Sequence, residues 1–308
     1  MSTTQTAFVS AATGTLGLNV ARRLRLLGWS VHATVRTPTS PAAQTLASLG
    51  VILTRGDWDT PSELAAALAG CTHLFLNTVP SFPPADITHE RVQASTILAL
   101  ATAAGVRHVV YSSTLAIDRL EEVTVFDPDS FVGKILLNKA AVEEELKGKG
   151  FETWTVLRGA TFMENFLPPK VAMYFGLVQT GTWTMALLPG AKMPLVGADD
   201  IAKFAVAVFE DPARFAGGEI AIAGDELSAE EIMEVLSEVA GKELKFAALT
   251  DDEIAAQRAS NPLIVAQLAL RELGKFVKAE ESRAWGISLV TFKEFSVNNK
   301  DLIQQTYL

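Results

Sequence analysis

The sequence predicts an α/β protein with a doubly wound parallel (Rossmann) sheet and a smaller C-terminal α+β cap region. Short apolar runs alternate with helical segments through the first half of the chain, and five of the predicted helices end at a glycine. The first apolar run also leads into a glycine-containing turn that opens a helix. Strand–helix alternation builds parallel sheets, and glycine favours the left-handed cap at helix ends.

The first 158 residues carry the elements of this predicted domain in order. Strands are predicted at 6–10, 31–35, 51–54, 73–77, 108–112 and 153–157. Helices are predicted at 15–28, 41–49, 61–69, 88–105 and 134–149, ending near Gly28, Gly50, Gly70, Gly105 and Gly150. The first helix places Leu16, Val20, Leu24 and Leu27 on one apolar face.

The pattern changes after Arg158. Residues 159–195 are rich in aromatic residues, glycine and proline, which indicates loops and short strands. A helix is predicted from Asp199 to Phe209, a strand from Glu219 to Ala223, helices at 228–240 and 251–273, and a tail beyond them. We expect residues 159–308 mainly to form the cap, with segments around 194–223 returning to the first domain.

Composition excludes several classes of protein. The chain has 308 residues, 49% of them hydrophobic, so it can bury a large core. Its net charge of -9 argues against nucleic-acid binding, which requires clustered basic residues. Cys71 is the single cysteine, which excludes an internal disulfide and fits a reducing compartment. No pair of histidines has metal-ligand spacing, so we expect no metal site.

Targeting signals are also lacking in the sequence. Residues 1–5 have neither the charged start nor the apolar stretch of a secretory signal. Residues 171–191 are uncharged, but Gln179, Pro189 and Gly190 interrupt them, so loop and strand are favoured over a membrane span. We therefore expect a cytoplasmic protein with no membrane partner.

The turn at residues 10–17 indicates a dinucleotide-binding site. Gly14 lets the backbone approach a pyrophosphate, and Gly17 lets the helix pack on its strand. The helix N-terminus then offers N–H groups to the anion. Ala11 replaces the usual first glycine and disfavours a positive φ. The predicted cofactor-binding residues of the turn are Ala11, Thr13, Gly14, Thr15, Leu16 and Gly17.

Arg36, directly after the second strand, predicts NADP(H) as the dinucleotide. An acidic residue in this place holds the ribose 2′-hydroxyl of NAD, whereas a cation suits a 2′-phosphate. Asp57 follows the third strand, where its carboxylate could accept from the adenine amino group or cap a turn. Further cofactor contacts are predicted for Thr78, Val79 and Pro80, which end the fourth strand beside the topological switch point.

The chain resembles the NmrA-like family of atypical short-chain dehydrogenase/reductases over nearly its whole length. The resemblance is carried by residues 11–17, Gly56-Asp57, 104–113, 139–143, 154–166, and Pro194 with 196–201. It implies an NADP-binding Rossmann domain and a small C-terminal region that lines a substrate cleft. The family also contains both active reductases and catalytically silent NADP sensors.

The resemblance also identifies candidate catalytic residues. Lys139 resembles the lysine of ordinary short-chain reductases, and Ser113 resembles the serine that orients a substrate oxygen. The usual tyrosine proton donor, four residues before the lysine, is replaced by Ile135. Lys139 could therefore act as proton donor or relay, or could hold the cofactor ribose without chemistry, and an exposed helix lysine is a third interpretation.

Aromatic residues could line an apolar substrate pocket or form ordinary core. The predicted pocket residues are Phe82, Phe131, Phe162, Asn165, Phe166 and Tyr174, with Phe175 beside them.

Two functions follow from these expectations. The first is an NADPH-dependent reductase of a small, apolar or aromatic metabolite, with the reduced bond (C=O, C=C or C=N) left open. The second is a silent NADP(H)-sensing regulator that binds a partner protein. The aromatic segment 159–191 favours the reductase.

Overall fold

The computed structural model describes residues 5–80, 86–258 and 261–308. The strands are β1 (Thr6–Val9), β2 (Ser30–Val35), β3 (Ile52–Arg55), β4 (His73–Asn77), β5 (His108–Thr114), β6 (Thr153–Gly159), β7 (Thr161–Phe162), β8 (Thr182–Met185), β9 (Met193–Val196), β10 (Gly218–Ile222), β11 (Asp225–Leu227) and β12 (Lys245–Ala248).

The helices follow the same order along the chain. They are α1 (Thr15–Leu26), α2 (Pro41–Ser48), α3 (Pro61–Leu68), α4 (His89–Ala103), α5 (Phe131–Gly148), α6 (Leu177–Thr180), α7 (Ala198–Glu210), α8 (Pro212–Phe215), α9 (Ala229–Ala240), α10 (Asp251–Arg258), α11 (Pro262–Leu270), α12 (Ala279–Arg283), α13 (Phe292–Asn298) and α14 (Lys300–Tyr307). Short 3-10 helices span Ile117–Glu122, Met163–Phe166, Lys170–Met173 and Leu273–Lys275.

A seven-stranded sheet with the order β10-β6-β5-β4-β1-β2-β3 confirms the predicted Rossmann fold. β1 pairs in parallel with both β2 and β4, so the strand order reverses beside it. This reversal is the topological switch point, where such sheets bind ligands at the strands' carboxyl ends. There the buried Ser10, which follows β1, links β1 to β4, because its Oγ donates to the Asn77 carbonyl oxygen at 2.8 Å.

The first five predicted helices are all present, and the glycines after them have φ between 74° and 80°. These left-handed values confirm the predicted helix ends. Leu16, Val20 and Leu24 are buried as expected. The expectation for Leu27 is wrong: α1 ends at Leu26, and Leu27 follows as an exposed cap residue.

Contacts divide the chain into two compact units. The first contains Met1–Thr114, Ile135–Arg158 and Ile201–Ile220, and the second contains Leu115–Lys134, Gly159–Asp200 and Ala221–Leu308. One boundary coincides with the predicted one after Arg158, and residues 201–220 return to the first unit. Leu115–Lys134 corrects the predicted division, because this insertion between β5 and the body of α5 belongs to the second unit.

The first unit has a core between its sheet and the helices that cover it. β4 is buried at every position from His73 to Leu76, as expected for a parallel strand with both faces covered. Leu74 and Leu76 pack with Ile97 of α4 and Val142 of α5. This core fixes the places where β4, α4 and α5 approach one another.

The second unit has its own core and two small sheets, β11-β9-β7 and β12-β8. Trp183, Phe166 and Phe292 are fully buried in this core. The single helix predicted over 251–273 is wrong, since Asn261 caps a new helix that begins at Pro262. The predicted tail forms α13 and α14, whose buried faces include Phe292 and Ile303.

Among the described residues, no helix combines the length and the apolarity that crossing a membrane requires.

Candidate cofactor and active site

The turn between β1 and α1 is built around Ala11. Its φ is 48°, and its carbonyl oxygen accepts from the Gly14 N–H at 2.9 Å. An L-residue in this left-handed region costs about 1 kcal/mol, so the turn forms in spite of the alanine. A Cβ at Gly17 would lie 2.4 Å from the Ala11 oxygen, whereas one at Gly14 would lie 3.3 Å from it. Gly17 is therefore required by packing, whereas a side chain at Gly14 would require only a shift of a few tenths of an ångström in the Ala11 oxygen.

The first turn of α1 fits an anion. Gly14 is the N-cap, and within the described residues no side chain caps the helix at this end. Residues 15–18 include no acidic side chain, so backbone N–H groups and the helix dipole face outward unopposed. Thr15 is exposed, whereas the Leu16 side chain is buried. Leu16 can therefore contribute only its backbone to the predicted cofactor site.

A pocket of about 360 Å³ lies beside this turn. It is lined by Ala11, Thr13, Gly14, Thr34, Val35, Arg36, Gly56, Asp57, Trp58, Val79 and Gln93. Six of these were predicted as cofactor-binding residues: Ala11, Thr13, Gly14, Arg36, Asp57 and Val79. The structure thus brings the phosphate turn, the end of β2 and the end of β4 together at one edge of the sheet.

Five residues that line the pocket were not predicted as cofactor-binding: Thr34, Val35, Gly56, Trp58 and Gln93. Trp58 directly follows the predicted residue Asp57, and this adjacency was the sequence signal that could have identified it. Gln93 lies within α4, and its amide donates to the Asp59 carboxylate at 3.1 and 3.2 Å. Its place in the pocket depends on how α4 packs, which the sequence pattern does not encode.

Arg36 and Asp57 face each other across this pocket. Arg36 Nε lies 3.9 Å from Asp57 Oδ2, and the Arg36 side chain is 83% exposed. Asp57 Oδ1 accepts from the adjacent Trp58 N–H at 2.6 Å, so the carboxylate is hydrogen-bonded within its own turn. The adenine contact stays a prediction. A long contact and high exposure leave the guanidinium able to reorient towards a phosphate.

Lys139 is held by a buried carboxylate, Glu90. The Lys139 Nζ donates to Glu90 Oε1 at 2.6 Å, and Thr78 Oγ1 donates to the same oxygen at 2.6 Å. Glu90 is 1% exposed and the Lys139 side chain 13%, so the exposed-lysine interpretation is wrong. The ammonium group is thereby connected to the carboxyl end of β4.

Glu90 is a residue that sequence reasoning missed. It lies in the first turn of α4, where an acidic residue ordinarily stabilises the helix from an exposed position. Only the packing of α4 against β4 and α5 buries it.

Ser113 and Tyr111 place two hydroxyls on β5 in the same region. Both side-chain oxygens are buried and lack a hydrogen-bond partner among the described residues. Burial, followed by the charge of Glu90, raises the pKa of the Tyr111 phenol, and the neighbouring Thr78 and Ser113 hydroxyls oppose this weakly. A buried hydroxyl in this state fits a site that receives a polar ligand atom.

The predicted substrate-pocket residues lie mostly in the second unit. Phe166 is fully buried, and its ring packs against Trp183 at 5.1 Å and Phe292 at 5.4 Å. Phe166 therefore belongs to the core and not to a pocket lining. Tyr174 packs on Phe166 at 5.1 Å and joins the same core, where burial raises the pKa of its phenol.

Other members of the predicted pocket are more accessible. Phe131, Phe162 and Asn165 are half-buried, and Phe175 is 74% exposed. Lys170 Nζ lies 5.2 Å from the centre of the Phe162 ring. A pocket role for these residues stays a prediction, and Phe82 lies outside the described residues.

A Rossmann sheet, a glycine turn at a helix N-terminus and a basic residue after β2 define the class of dinucleotide-binding proteins. The NmrA-like family model matches residues 3–295 of the chain. The chain therefore belongs to the NmrA-like family, as the sequence resemblance implied.

Relatives place this member among the oxidoreductases. The chain is 30% identical over 255 residues to the NmrA-like family domain-containing oxidoreductase himF of Aspergillus japonicus, covering 79% of this chain and 75% of that one. It is 31% identical over 245 residues to a (4-alkanoyl-5-oxo-2,5-dihydrofuran-3-yl)methyl phosphate reductase of Streptomyces griseus, covering 79% and 77%. These relatives confirm the predicted class of enzyme, an NAD(P)H-dependent oxidoreductase.

A solved structure agrees with the fold. The NADPH complex of the quinone oxidoreductase QOR2 from Escherichia coli has a TM-score of 0.73 at 22% identity and covers 96% of this chain and 99% of that one.

Proposed function

We propose that the protein is an NADPH-dependent reductase of a small, apolar or aromatic molecule. One observation carries the proposal: the cofactor pocket and the Lys139 site meet at the end of β4. Thr78 binds Glu90, which holds Lys139, and the next residue, Val79, lines the pocket. Lys139 is thus linked, through Glu90 and Thr78, to a strand end that contributes to a pocket suited to a dinucleotide.

The residues present fit NADP(H). The uncapped turn of α1 suits the pyrophosphate, Arg36 suits a 2′-phosphate, and Asp57 with Trp58 suits the adenine end. The QOR2 structure contains NADPH, which agrees with this assignment. When bound, NADPH supplies a hydride to the substrate.

The chain's own residues then have two tasks. Ser113, whose hydroxyl is buried at the carboxyl end of β5, orients the substrate oxygen or its equivalent. Lys139 supplies or relays the proton, because the position of the usual tyrosine holds Ile135. An ammonium group fixed by a carboxylate is a suitable donor at this point.

The names of two similar proteins support the proposed substrate class. The Streptomyces relative is named as the reductase of a furanone phosphate, and the Escherichia coli protein as a quinone oxidoreductase. We place the substrate among such conjugated carbonyl compounds. The single buried thiol, Cys71, fits a reducing compartment, and we propose the cytoplasm as the location.

The second candidate is an NADP(H)-sensing regulator that binds a protein partner. Ile135 favours it, because α5 offers no hydroxyl one turn before Lys139. A sensor binds NADP(H) without turning over any substrate.

NADPH oxidation against a panel of quinones, enones, imines and ketones tests the proposal. We expect at least one conjugated carbonyl compound to be reduced, and NADPH to be preferred over NADH. Tight NADPH binding without turnover across the panel would favour the regulator.

A further inference from the structure

Glu90 is a charged group that the proposed reaction does not yet use. Its side chain is 1% exposed, and both of its observed side-chain contacts are made by Oε1. Burying a carboxylate is costly unless cations and hydrogen-bond donors compensate for the lost hydration. Here Lys139 on α5 provides the cation, and Thr78 at the end of β4 provides a hydrogen-bond donor.

The position of the Glu90–Lys139 pair gives it a role beyond packing. Lys139 has a long, flexible side chain, which loses rotamer freedom when its end is fixed. The contact with Glu90 fixes that end, and the same Glu90 oxygen accepts from Thr78, which precedes the pocket residue Val79 in the chain. A fixed donor reacts faster than a mobile one, because less motion must be arrested in the transition state.

We propose that Glu90 is the positioning residue for Lys139, holding its ammonium group in place for proton delivery. The proposal rests on the proposed reductase function. Glu90 itself does not touch the substrate, and the proton that leaves Lys139 is replaced from solvent after each turnover.

Other charged and titratable groups surround the pair. The Tyr111 phenol on β5 lies near Glu90, and Glu143, one turn beyond Lys139 on α5, also acts on that phenol. Glu143 is bound by Arg158, with Oε2 2.6 Å from Nη2. Glu143 is therefore compensated by its own partner, which makes it a matched buried carboxylate for control variants.

The first test measures how Lys139 is held, independently of turnover. A pulse of acetic anhydride on the cofactor-free protein, followed by peptide mass spectrometry, gives the acetylation rate of Lys139. We expect Glu90→Gln to raise this rate roughly 5-fold or more, because the carboxylate that holds the Lys139 nitrogen at 2.6 Å is removed and the side chain gains freedom to reach the reagent. Glu143→Gln should leave the rate unchanged. An unchanged rate in Glu90→Gln would overturn the proposal whether or not the protein is an enzyme.

The second test is a double-mutant cycle on turnover of the best panel compound. Glu90→Gln should lower kcat about 10- to 100-fold with little change in KM for NADPH, whereas in a Lys139→Met background it should change kcat less than about 2-fold. Glu90→Asp, which keeps the charge, should recover part of the activity.

These outcomes separate the claim that Glu90 positions Lys139 from the claim that the protein is a reductase. Multiplicative effects of Glu90→Gln and Lys139→Met on kcat, or unchanged kcat in Glu90→Gln, would overturn the positioning role even if the wild-type protein is a reductase. Absence of turnover in the wild-type protein would contradict the reductase function and with it proton delivery. The acetylation rates would then decide only whether Glu90 holds Lys139.

Discussion

Arg36 is the residue on which the preference between dinucleotides depends. Its guanidinium is mostly exposed, lies 3.9 Å from the Asp57 carboxylate and faces the pocket beside the phosphate turn. A 2′-phosphate carries more charge than Asp57 and accepts two parallel hydrogen bonds from a guanidinium. We therefore expect a 2′-phosphate to compete successfully with Asp57 for Arg36.

Reversing the charge at Arg36 should reverse the preference. We expect Arg36→Glu to weaken NADPH binding about ten-fold or more, the effect of losing hydrogen bonds to a charged group, and to weaken NADH binding much less. Fluorescence titration with both dinucleotides measures this. Arg107→Glu, the same charge change outside the pocket, is the control. Equal affinity for NADPH and NADH in the unchanged protein would show that Arg36 does not bind the 2′-phosphate.

Individual residues also show the limit of sequence reasoning. Ala11, Gly14, Arg36 and Asp57 were predicted because each follows a strand end, a place that the hydrophobic pattern marks directly. Glu90 was missed because its burial depends on three elements packing together. Phe166 was misassigned because an aromatic residue in a core and one in a pocket give the same pattern.

At the scale of elements, the β1–turn–α1 unit separates two requirements for glycine. Gly17 is needed because a side chain there would collide with the Ala11 backbone, whereas Gly14 is exposed and has an ordinary φ of -85°. The close approach at Gly17 holds the helix on its strand. Gly14 lines the pocket beside the turn, where we expect the pyrophosphate.

Paired substitutions should separate fold from binding. We expect Gly14→Val to abolish NADPH binding with a Tm close to that of the unchanged protein, because the valine blocks the phosphate approach. Gly17→Ala should lower the free energy of unfolding by about 1–3 kcal/mol, as overpacking does. Thermal unfolding and cofactor titration of both variants measure this. A large loss of stability in Gly14→Val would assign Gly14 to the fold.

The elements of the first half were predictable because the parallel strands are short apolar runs and each helix between them is followed by a glycine. The elements of the second half were less predictable from the sequence. The break between α10 and α11 follows from Asn261 and Pro262, a capping signal that the longer apolar pattern concealed. The final helices were missed because Phe292 and Ile303 become a helix face only when they pack on α9.

At the scale of the whole molecule, stability should depend on pH through a buried histidine cluster. His73 is 2% exposed at the start of β4, and its ring centre lies 4.7 Å from those of Trp29 and His108. Burial, aided by His108 and Arg107, lowers the pKa of His73 to about 3. The folded state therefore keeps His73 neutral at a pH where the unfolded chain is protonated.

The sign of the effect follows from this lowered pKa. The contribution of His73 is complete above about pH 6.5 and is lost as the pH falls from there towards 3. Between pH 7 and pH 5 the free energy of unfolding should fall by about 2 kcal/mol more in the unchanged protein than in His73→Phe, which does not titrate. Denaturant unfolding at both pH values measures the difference. Equal falls in the two proteins would mean that His73 titrates normally in the fold.

The central claim for the whole molecule is that it is an NADPH-dependent reductase in which Lys139 supplies the proton. The most direct measurement compares steady-state NADPH oxidation by the wild-type protein and Lys139→Met, with a conjugated carbonyl substrate, alongside NADPH affinity. We predict that kcat falls about 10²–10⁴-fold in Lys139→Met, the range for losing a general acid, while NADPH binding weakens much less. Unchanged turnover in Lys139→Met, or NADPH binding by both proteins without any turnover, would contradict the claim.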